Sequence, residues 1–574
     1  MIDARVDAAR QAAVTAALPT APPTPKVLVV GAGNGGLVTA LLLASRGLRV
    51  QVLEMAGAPG GKMRQLQVGA PQPAAHADAA SAAAPAGAAD NARGASVDSG
   101  PTVLTMRWVF ERIFEQAGTS LDQHVVLSPL QLLARHAWGA DERHDRLDLH
   151  ADRARSVDAI GRFAGAAEAR RFERFCREAQ AVYRSLEGPY IRSPKPSVAG
   201  MIAALGPRGL AQLVALGPLT SLASLLGRRF HNPRLRQLFG RYATYCGASP
   251  YNAPATLMLV AQVEMDGVWS VQGGLHGLAC ALAALAAARG VEFSYDTRVD
   301  EIVVSGGRAR GVRLGGGRVI DADHVVFNGD ADALAQGLLG DAARAAVRPR
   351  ARADRSLSAL TCSVLARAEG FPLVRHNVFF DDGADAAAEF DDVFAHRRLP
   401  RRGTVYVCAQ NRDDASHDDA TRAAGPEPLL LLINAPPDGD RGALQPEEIE
   451  RCERNHLAML ARCGLRIQRN PAAWTRTTPQ DFARLYPGSG GGLYGTATNG
   501  WMSLFKRPGS TSRLPGLWLC GGSVHPGPGV PMAAMSGLLA AEALMAHLDS
   551  TSRSRRVAIS GGTSTPSATT AVMR

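Results

Sequence analysis

Paired cysteines are missing from this sequence. Its eight cysteines (Cys176, Cys246, Cys280, Cys362, Cys408, Cys452, Cys463 and Cys520) are scattered without C-x-x-C spacing. Neither a zinc site nor a redox dithiol is signalled, and reduced thiols are the simpler reading. The first 26 residues, MIDARVDAARQAAVTAALPTAPPTPK, hold no uninterrupted apolar core, so no signal peptide is predicted. No run of about 18 apolar, uncharged residues stands out, and no spanning helix is predicted. Aromatics are only 5%, and no basic run carries interleaved aromatics. The net charge of +11, with arginine far outnumbering lysine, therefore reads as compositional drift and gives no support for nucleic acid. No internal repeat and no metal-ligand pattern is visible.

What is present is a globular composition, 46% hydrophobic and 20% charged over 574 residues, enough for two or three domains. Residues 1–25 read as a disordered Ala/Pro-rich leader, 70–95 as a low-complexity surface insertion, and 549–574 as a flexible Ser/Thr-rich tail. From about 108 to 265 the apolar spacing is mostly helical. Between 288 and 328 short strands alternate with turns at Gly306-Gly307 and Gly315–Gly317, which predicts a β-meander. Further strands are expected in RGTVYVCAQN and PLLLLINAP. The apolar segment GLAQLVALGPLTSLASLLG, residues 209–227, is flanked by Arg208, Arg228 and Arg229. It fits a buried helix pair broken at Gly217-Pro218, or an interfacial segment lying on a membrane.

The firmest signal is KVLVVGAGNGGLVTALLLASRGLRVQVLEM. Val27 to Val30 form a buried parallel strand, and Gly31, Gly33 and Gly36 follow as G-x-G-x-x-G. The first glycine permits a tight turn, the second a close backbone approach to a pyrophosphate, and the third helix-on-strand packing. The next helix aims its N-terminus at the phosphates. A second strand, Val50 to Leu53, ends at Glu54, a carboxylate suited to ribose hydroxyls. Strand, helix, strand and acid fall in register, which predicts a dinucleotide and leaves NAD or FAD open.

Four further stretches bear on that choice. GAPGGKMRQ places Gly60, Gly61 and Lys62 just after the acid, and VDSGPTVLT follows at 97–105. GVWSVQGGLHGLACALA spans 267–283, and HVVFNGDA carries Asn328 and Asp330. Near the C-terminus stands WLCGGSVHPGPGVPMAAMSG, with Gly521, Gly522, Gly527 and Gly529 among Pro526, Pro528 and Pro531. Together these resemble the carotenoid/phytoene desaturase family of the flavin amine oxidase superfamily. GGLYGTATNGWMSLFKRPG is similar to the 1-hydroxycarotenoid 3,4-desaturase branch, with Asn499 where that branch carries a histidine.

The resemblance implies FAD and an α/β fold: a Rossmann-like FAD-binding domain assembled from three chain segments, 26–107, 268–345 and 490–548. An inserted α+β substrate-binding domain would fill 108–267 and 346–489, the first part also touching the membrane. The implied FAD contacts are Gly31, Ala32, Gly33, Asn34, Gly36, Glu54, Gly61, Lys62, Pro101, Thr102, Val103, Val299, Gly521, Gly522, Val530, Pro531 and Met532. The implied chemistry takes a hydride from a –CH2–CH2– unit beside a polyene and then a neighbouring proton. The protein would mostly bind and orient the chain. Glu264, Asp266, His276 and His525 are the candidate acids or bases, each also readable as a structural polar residue. The implied partners are an acyclic carotenoid, a membrane surface, and oxygen or a quinone as electron acceptor. The implied location is cytoplasmic, peripheral to the inner or photosynthetic membrane. Phytoene desaturase, a carotenoid isomerase or retinoid saturase, and a non-enzymatic prenyl-binding protein of the same fold are the rival readings.

Overall fold

The computed structural model describes residues 24–69, 94–139, 145–217, 219–381, 386–412 and 425–560. Most of the leader, nearly all of the 70–95 insertion and the last part of the tail lie outside the described residues. The N-terminal fingerprint forms the centre of a five-stranded sheet. Its order is Leu517–Leu519, His324–Phe327, Lys26–Val30, Arg49–Leu53, Glu292–Ser294, and every pairing is parallel. Val27, Leu28 and Val29 are wholly buried, as a central strand covered on both faces requires.

Helix Asn34–Ala44 follows the first strand, and all eleven of its residues are buried. Helix Val530–Ser560 lies against it. The two backbones nearly touch: a Cβ added at Gly537 would stand 2.2 Å from the Gly35 carbonyl oxygen. The Thr39 hydroxyl donates to the Gly35 and Gly537 carbonyls at 2.8 and 3.0 Å, and the Asn34 amide donates to the Val530 carbonyl at 2.7 Å.

A second, seven-stranded sheet runs in the order Trp474–Thr477, Ser358–Ala366, Glu427–Ala435, Val405–Ala409, His376–Phe380, Leu132–Trp138, Arg146–His150. Only His376–Phe380 with Leu132–Trp138 is parallel. Side chains alternate across it. Leu360, Val364, Val407, Leu431 and Ile433 pack with helix Pro446–Arg462, whereas Thr361, Tyr406, Leu432 and Asn434 face a cavity. Helices Arg153–Ala164, Ala166–Leu186, Leu222–Arg229 and Pro233–Gly240 form a helical layer in the same half of the chain. Their packing centres on Phe172, Phe175, Phe230 and Phe239.

Five expectations change. The stretch 108–265 holds three strands as well as helices: Leu127–Pro129, Leu132–Trp138 and Arg146–His150. Leu132–Trp138 takes its parallel partner about 240 residues away, so no local pattern reveals it. The meander is confined to Val299–Ser305, Arg308–Leu314 and Val319–Asp321, while Glu292–Ser294 and His324–Phe327 join the parallel sheet. Helix Val198–Leu216 kinks at Gly206-Pro207 and stops at Gly217, and Leu222–Arg229 follows with Leu222, Leu225 and Leu226 buried; the pair and its break are there, but the first helix is not buried, with Val214 61% and Leu219 in the turn 89% exposed. One helix, Val530–Thr551, is long and apolar enough to cross a membrane. Glu542 interrupts its apolar run in the sequence, and 61% of its most apolar window is buried within the protein, where it serves as a core helix. The same helix carries on to Ser560, through the beginning of the stretch read as tail.

Substituting Gly537 by Leu drives a side chain into the Gly35 carbonyl. It is expected to cost about 1–3 kcal/mol or more in denaturant unfolding and to lower flavin retention. Gly188→Ala, where nothing lies within 4 Å, is the control and should change little.

Candidate functional site

One cavity of about 1150 Å³ runs from the parallel sheet to the second sheet. At the first end, the turn after Val30 is built from glycine because nothing else fits. Gly31 has φ +101°, a Cβ at Gly33 would meet the Asn328 amide at 2.8 Å, and one at Gly36 would meet the Gly31 carbonyl at 2.2 Å. Helix Asn34–Ala44 begins at Gly33 with no side-chain cap. Its first-turn N–H groups therefore remain available to an anion. Glu54 ends the second strand, 7% exposed, and accepts from the Ala32 N–H at 2.6 Å and the Ala56 N–H at 2.8 Å. A carboxylate has about four lone-pair positions, so it keeps acceptor capacity toward a ribose.

The C-terminal segment closes over this end. Strand Leu517–Leu519 enters the sheet, Gly521, Gly527 and Gly529 all take positive φ, and helix Val530–Ser560 starts at the cavity wall. Asn34 Oδ1, buried at the same wall, has no hydrogen-bond partner among the described residues. An uncapped helix start, a glycine-lined cradle and an orphaned acceptor fit a dinucleotide with a flat ring system.

Basic groups surround the middle of the cavity. Lys62 donates to the Leu493 carbonyl at 2.6 Å and lies over the Tyr486 ring at 5.1 Å. Burial pulls its pKa from 10.5 down to about 8, aided by Arg350 and Arg507 and opposed by Asp330. Arg507 is tied to the carbonyls of Tyr494, Thr496 and Gly522. Asp330 pairs with Arg350 at 3.2 Å. Burial works against the Asp330 carboxylate, but Arg350, the Asp332 N–H and Lys62 together hold its pKa below the usual range.

Beyond these groups the lining turns apolar, with Leu186, Ile191, Leu257, Val260, Val263 and Leu504. A polar corner interrupts it. Arg241 lies against the rings of Tyr245 and Tyr406 at 5.0 and 5.5 Å and donates to the Tyr245 hydroxyl at 2.9 Å. Tyr245 and Tyr242 both donate to Glu264, at 2.9 and 2.6 Å. Burial raises the Glu264 pKa, while these hydroxyls and Arg241 oppose the rise. Tyr406 also bonds Thr102 at 2.6 Å and His376 at 2.7 Å.

Most of the residues singled out from the sequence come together here. Gly31, Gly33, Asn34, Glu54, Gly61, Lys62, Pro101, Thr102, Val103, Val299, Gly521, Gly522, Val530, Pro531 and Met532 all line the cavity. Ala32 and Gly36 do not: Ala32 spends its N–H on Glu54, and Gly36 is the helix-packing glycine. Of the candidate acids and bases, Glu264 and His276 line the cavity, His276 held by the Met63 carbonyl at 3.0 Å. Asp266 is exposed and receives a bond from Gln262, so it lies outside the cavity. His525 is buried behind the loop, its Nε2 2.9 Å from the carbonyls of both Tyr190 and Ser193. Burial lowers its pKa to about 4, which leaves it a neutral structural group. The thiol of Cys520 is buried and pushed up to about 12, unfit for covalent attachment. Arg241, Tyr406 and Asn434 carried no motif of their own, and only the tertiary contacts place them at the site; Arg507 lies within the GGLYGTATNGWMSLFKRPG stretch but was not singled out there.

Lys62 gives a pH prediction. Its pKa in the flavin-free chain is depressed, so folding of that chain gains stability as pH rises from about 8 toward 10.5. An anionic cofactor favours the charged amine. Flavin affinity should thus be full below about 8 and weaken above it, and Lys62→Met should flatten that dependence in a fluorescence titration.

A family model described as flavin-containing amine oxidoreductase matches residues 35–545. Hydroxyneurosporene desaturase of Rubrivivax gelatinosus is 58% identical over 550 residues, covering 96% of this chain and 99% of that protein. Its namesake in Cereibacter sphaeroides is 44% identical, covering 92% and 99%. The zeta-carotene-forming phytoene desaturase of Myxococcus xanthus is 31% identical, covering 93% and 96%. Among solved structures, wild-type putrescine oxidase bound to putrescine superposes with a TM-score of 0.56 at 13% identity, covering 91% of this chain and 99% of that one. An oxidoreductase from Methanosarcina mazei gives 0.52 at 16%, covering 89% and 99%. These two share the fold. With nearly its whole length matched by the family and by a relative at 58% identity, the chain belongs to the flavin-containing amine oxidoreductases, and its cofactor is FAD.

Proposed function

We propose that this chain is an FAD-dependent carotenoid desaturase that introduces the C-3,4 double bond into a 1-hydroxylated acyclic carotenoid such as 1-hydroxyneurosporene. The observation that carries this reading is the full-length, 58% identity to hydroxyneurosporene desaturase. The cavity supports it. Its apolar half suits a polyene, and the Arg241 guanidinium in its lining disfavours a cationic substrate. When bound, FAD supplies a two-electron acceptor for hydride removal from the substrate. Glycine turns, Glu54 and the start of helix Asn34–Ala44 would hold the nucleotide, and Lys62 would supply positive charge. Pro101, Thr102, Val103, Val530, Pro531 and Met532 would bound the ring end. The apolar walls would exclude water and keep the polyene extended. Glu264 receives two tyrosine hydroxyls and orients Tyr245, a positioning role that leaves it poorly placed to abstract a proton.

The substrate is lipid-soluble, and the reading includes work at a membrane surface. Helix Val198–Leu216 and the turn after it expose Val198, Ile202, Val214 and Leu219, close in sequence to Arg228 and Arg229. Tyr190 and Ile191, just before that helix, line the cavity. Apolar residues would dip below the headgroups and arginines would rest on anionic ones.

Two measurements test these readings. FAD-loaded protein in liposomes receives 1-hydroxyneurosporene and phytoene separately, with products read by absorption and mass. Loss of two hydrogens with a red shift from the hydroxylated substrate alone is expected, and turnover of phytoene alone would replace the proposed substrate. For the surface, Val214→Asp with Leu219→Asp should reduce co-sedimentation with anionic vesicles by about tenfold while leaving activity on detergent-dispersed substrate intact.

A further inference from the structure

The polar corner of the cavity has unused hydrogen-bonding capacity. Arg241 carries five donors, and its hydrogen bond to the Tyr245 hydroxyl is the one protein bond it makes among the described residues. No carboxylate among the described residues comes within ion-pair distance of it, and the Tyr245 hydroxyl that accepts from it donates in turn to Glu264. Its guanidinium is pinned by two aromatic faces rather than by an acid, which leaves its remaining donors directed by stacking.

Asn434 offers the complementary atom. Its Nδ2 donates to Glu389 at 2.6 Å, and Glu389 also accepts from the N–H and hydroxyl of Thr404, at 2.9 and 2.8 Å. That carboxylate fixes the amide with nitrogen toward Glu389, so Asn434 Oδ1 is an acceptor without a protein donor among the described residues. Asn434, Thr404 and Tyr406 share one sheet face, since Tyr406 pairs with Leu432 and Val405 with Ile433. Arg241 stands over Tyr406 at that face, near enough to Glu389 to oppose the burial that raises its pKa. A third group, Thr361, pairs with Leu432 on the adjoining strand. It is 3% exposed, lines the cavity, and its hydroxyl has no partner among the described residues.

A donor array facing a free acceptor matches a group that both accepts and donates, which is an alcohol. The position matches too. On the substrate reading above, the hydroxyl sits on C-1, two carbons from C-3, so whatever reads it must lie beside the carbons being oxidised. Thr102, in the loop assigned to the ring end, is bonded directly to Tyr406.

We propose that Arg241 and Asn434 hold the tertiary hydroxyl of the substrate, Arg241 donating to its oxygen and Asn434 Oδ1 accepting its proton, and that this pair selects 1-hydroxylated carotenoids and sets which carbon–carbon bond meets the flavin. This rests on the substrate reading of the previous section. A site built to bond a hydroxyl rejects the analogue that lacks it, because its own polar groups are left unpaired.

The test uses the FAD-loaded full chain, kept anaerobic and reduced so that binding is read without turnover. Affinities for 1-hydroxyneurosporene and for neurosporene are taken from tryptophan quenching in the wild type, Arg241→Met, Arg241→Lys and Asn434→Leu. The wild type should prefer the hydroxylated compound by about 10- to 100-fold. Arg241→Met and Asn434→Leu should each shrink that preference to about twofold, with neurosporene affinity held or raised and flavin absorption unchanged, and Arg241→Lys should recover part of it. An undiminished preference in both variants overturns the assignment alone. Equal loss of both ligands with a disturbed flavin spectrum overturns it as well, by showing a structural role. A wild type with no preference removes the substrate reading and this assignment together.

Discussion

The close approach of two helices from opposite ends of the chain is the constraint on which the rest depends. Asn34–Ala44 and Val530–Ser560 are about 500 residues apart in sequence, yet their backbones meet at Gly35 and Gly537 with no room for a Cβ. Thr39 and Asn34 convert that approach into hydrogen bonds. The cost of bringing such distant segments together grows only slowly with the intervening length, and burial of two apolar helix faces offsets it. Once they meet, the start of each helix lies at the same cavity wall. On the proposed reading, one end of the chain would supply the phosphate site and the other the wall of the flavin ring.

This constraint explains where glycine is indispensable. The turn after the first strand needs Gly31 for its conformation and Gly33 and Gly36 for their missing side chains. The C-terminal loop needs positive φ at Gly521, Gly527 and Gly529. The prolines between them stiffen a loop that would otherwise lose much entropy on ordering. The loop rich in glycine and proline is thus a fixed wall of the cavity, one that would suit a flat ligand.

The cavity divides its chemistry by charge. Lys62 and Arg507 stand in its wall, with Asp330 between them and Arg350 behind it holding the set in balance. The other half is apolar save for the corner where Arg241 lies against the rings of Tyr245 and Tyr406. A bare arginine there would be expensive. Aromatic faces and the hydrogen bonds through Tyr245 to Glu264 make it tolerable, and they leave it lining the cavity. The neighbouring histidines stay neutral, because burial lowers His376 and His136 to about 3.

Several features were legible without coordinates, because they are local. A strand, a glycine turn, a helix start and an acid at the end of the next strand lie within thirty residues, and their spacing alone dictates a dinucleotide site. Gly60–Lys62, the 97–105 stretch and the C-terminal glycine loop were readable as short motifs for the same reason. The tertiary structure decided what depends on distant pairing. Leu132–Trp138 became a strand because of His376–Phe380, and Asp266 and His525 fell outside the cavity because of their neighbours. Arg241, Tyr406 and Asn434, each unremarkable in sequence, became one polar corner because two strands and a short helical segment from separate parts of the chain converge there. The cofactor was written in contiguous residues; the substrate-facing surface exists only where side chains from remote segments meet.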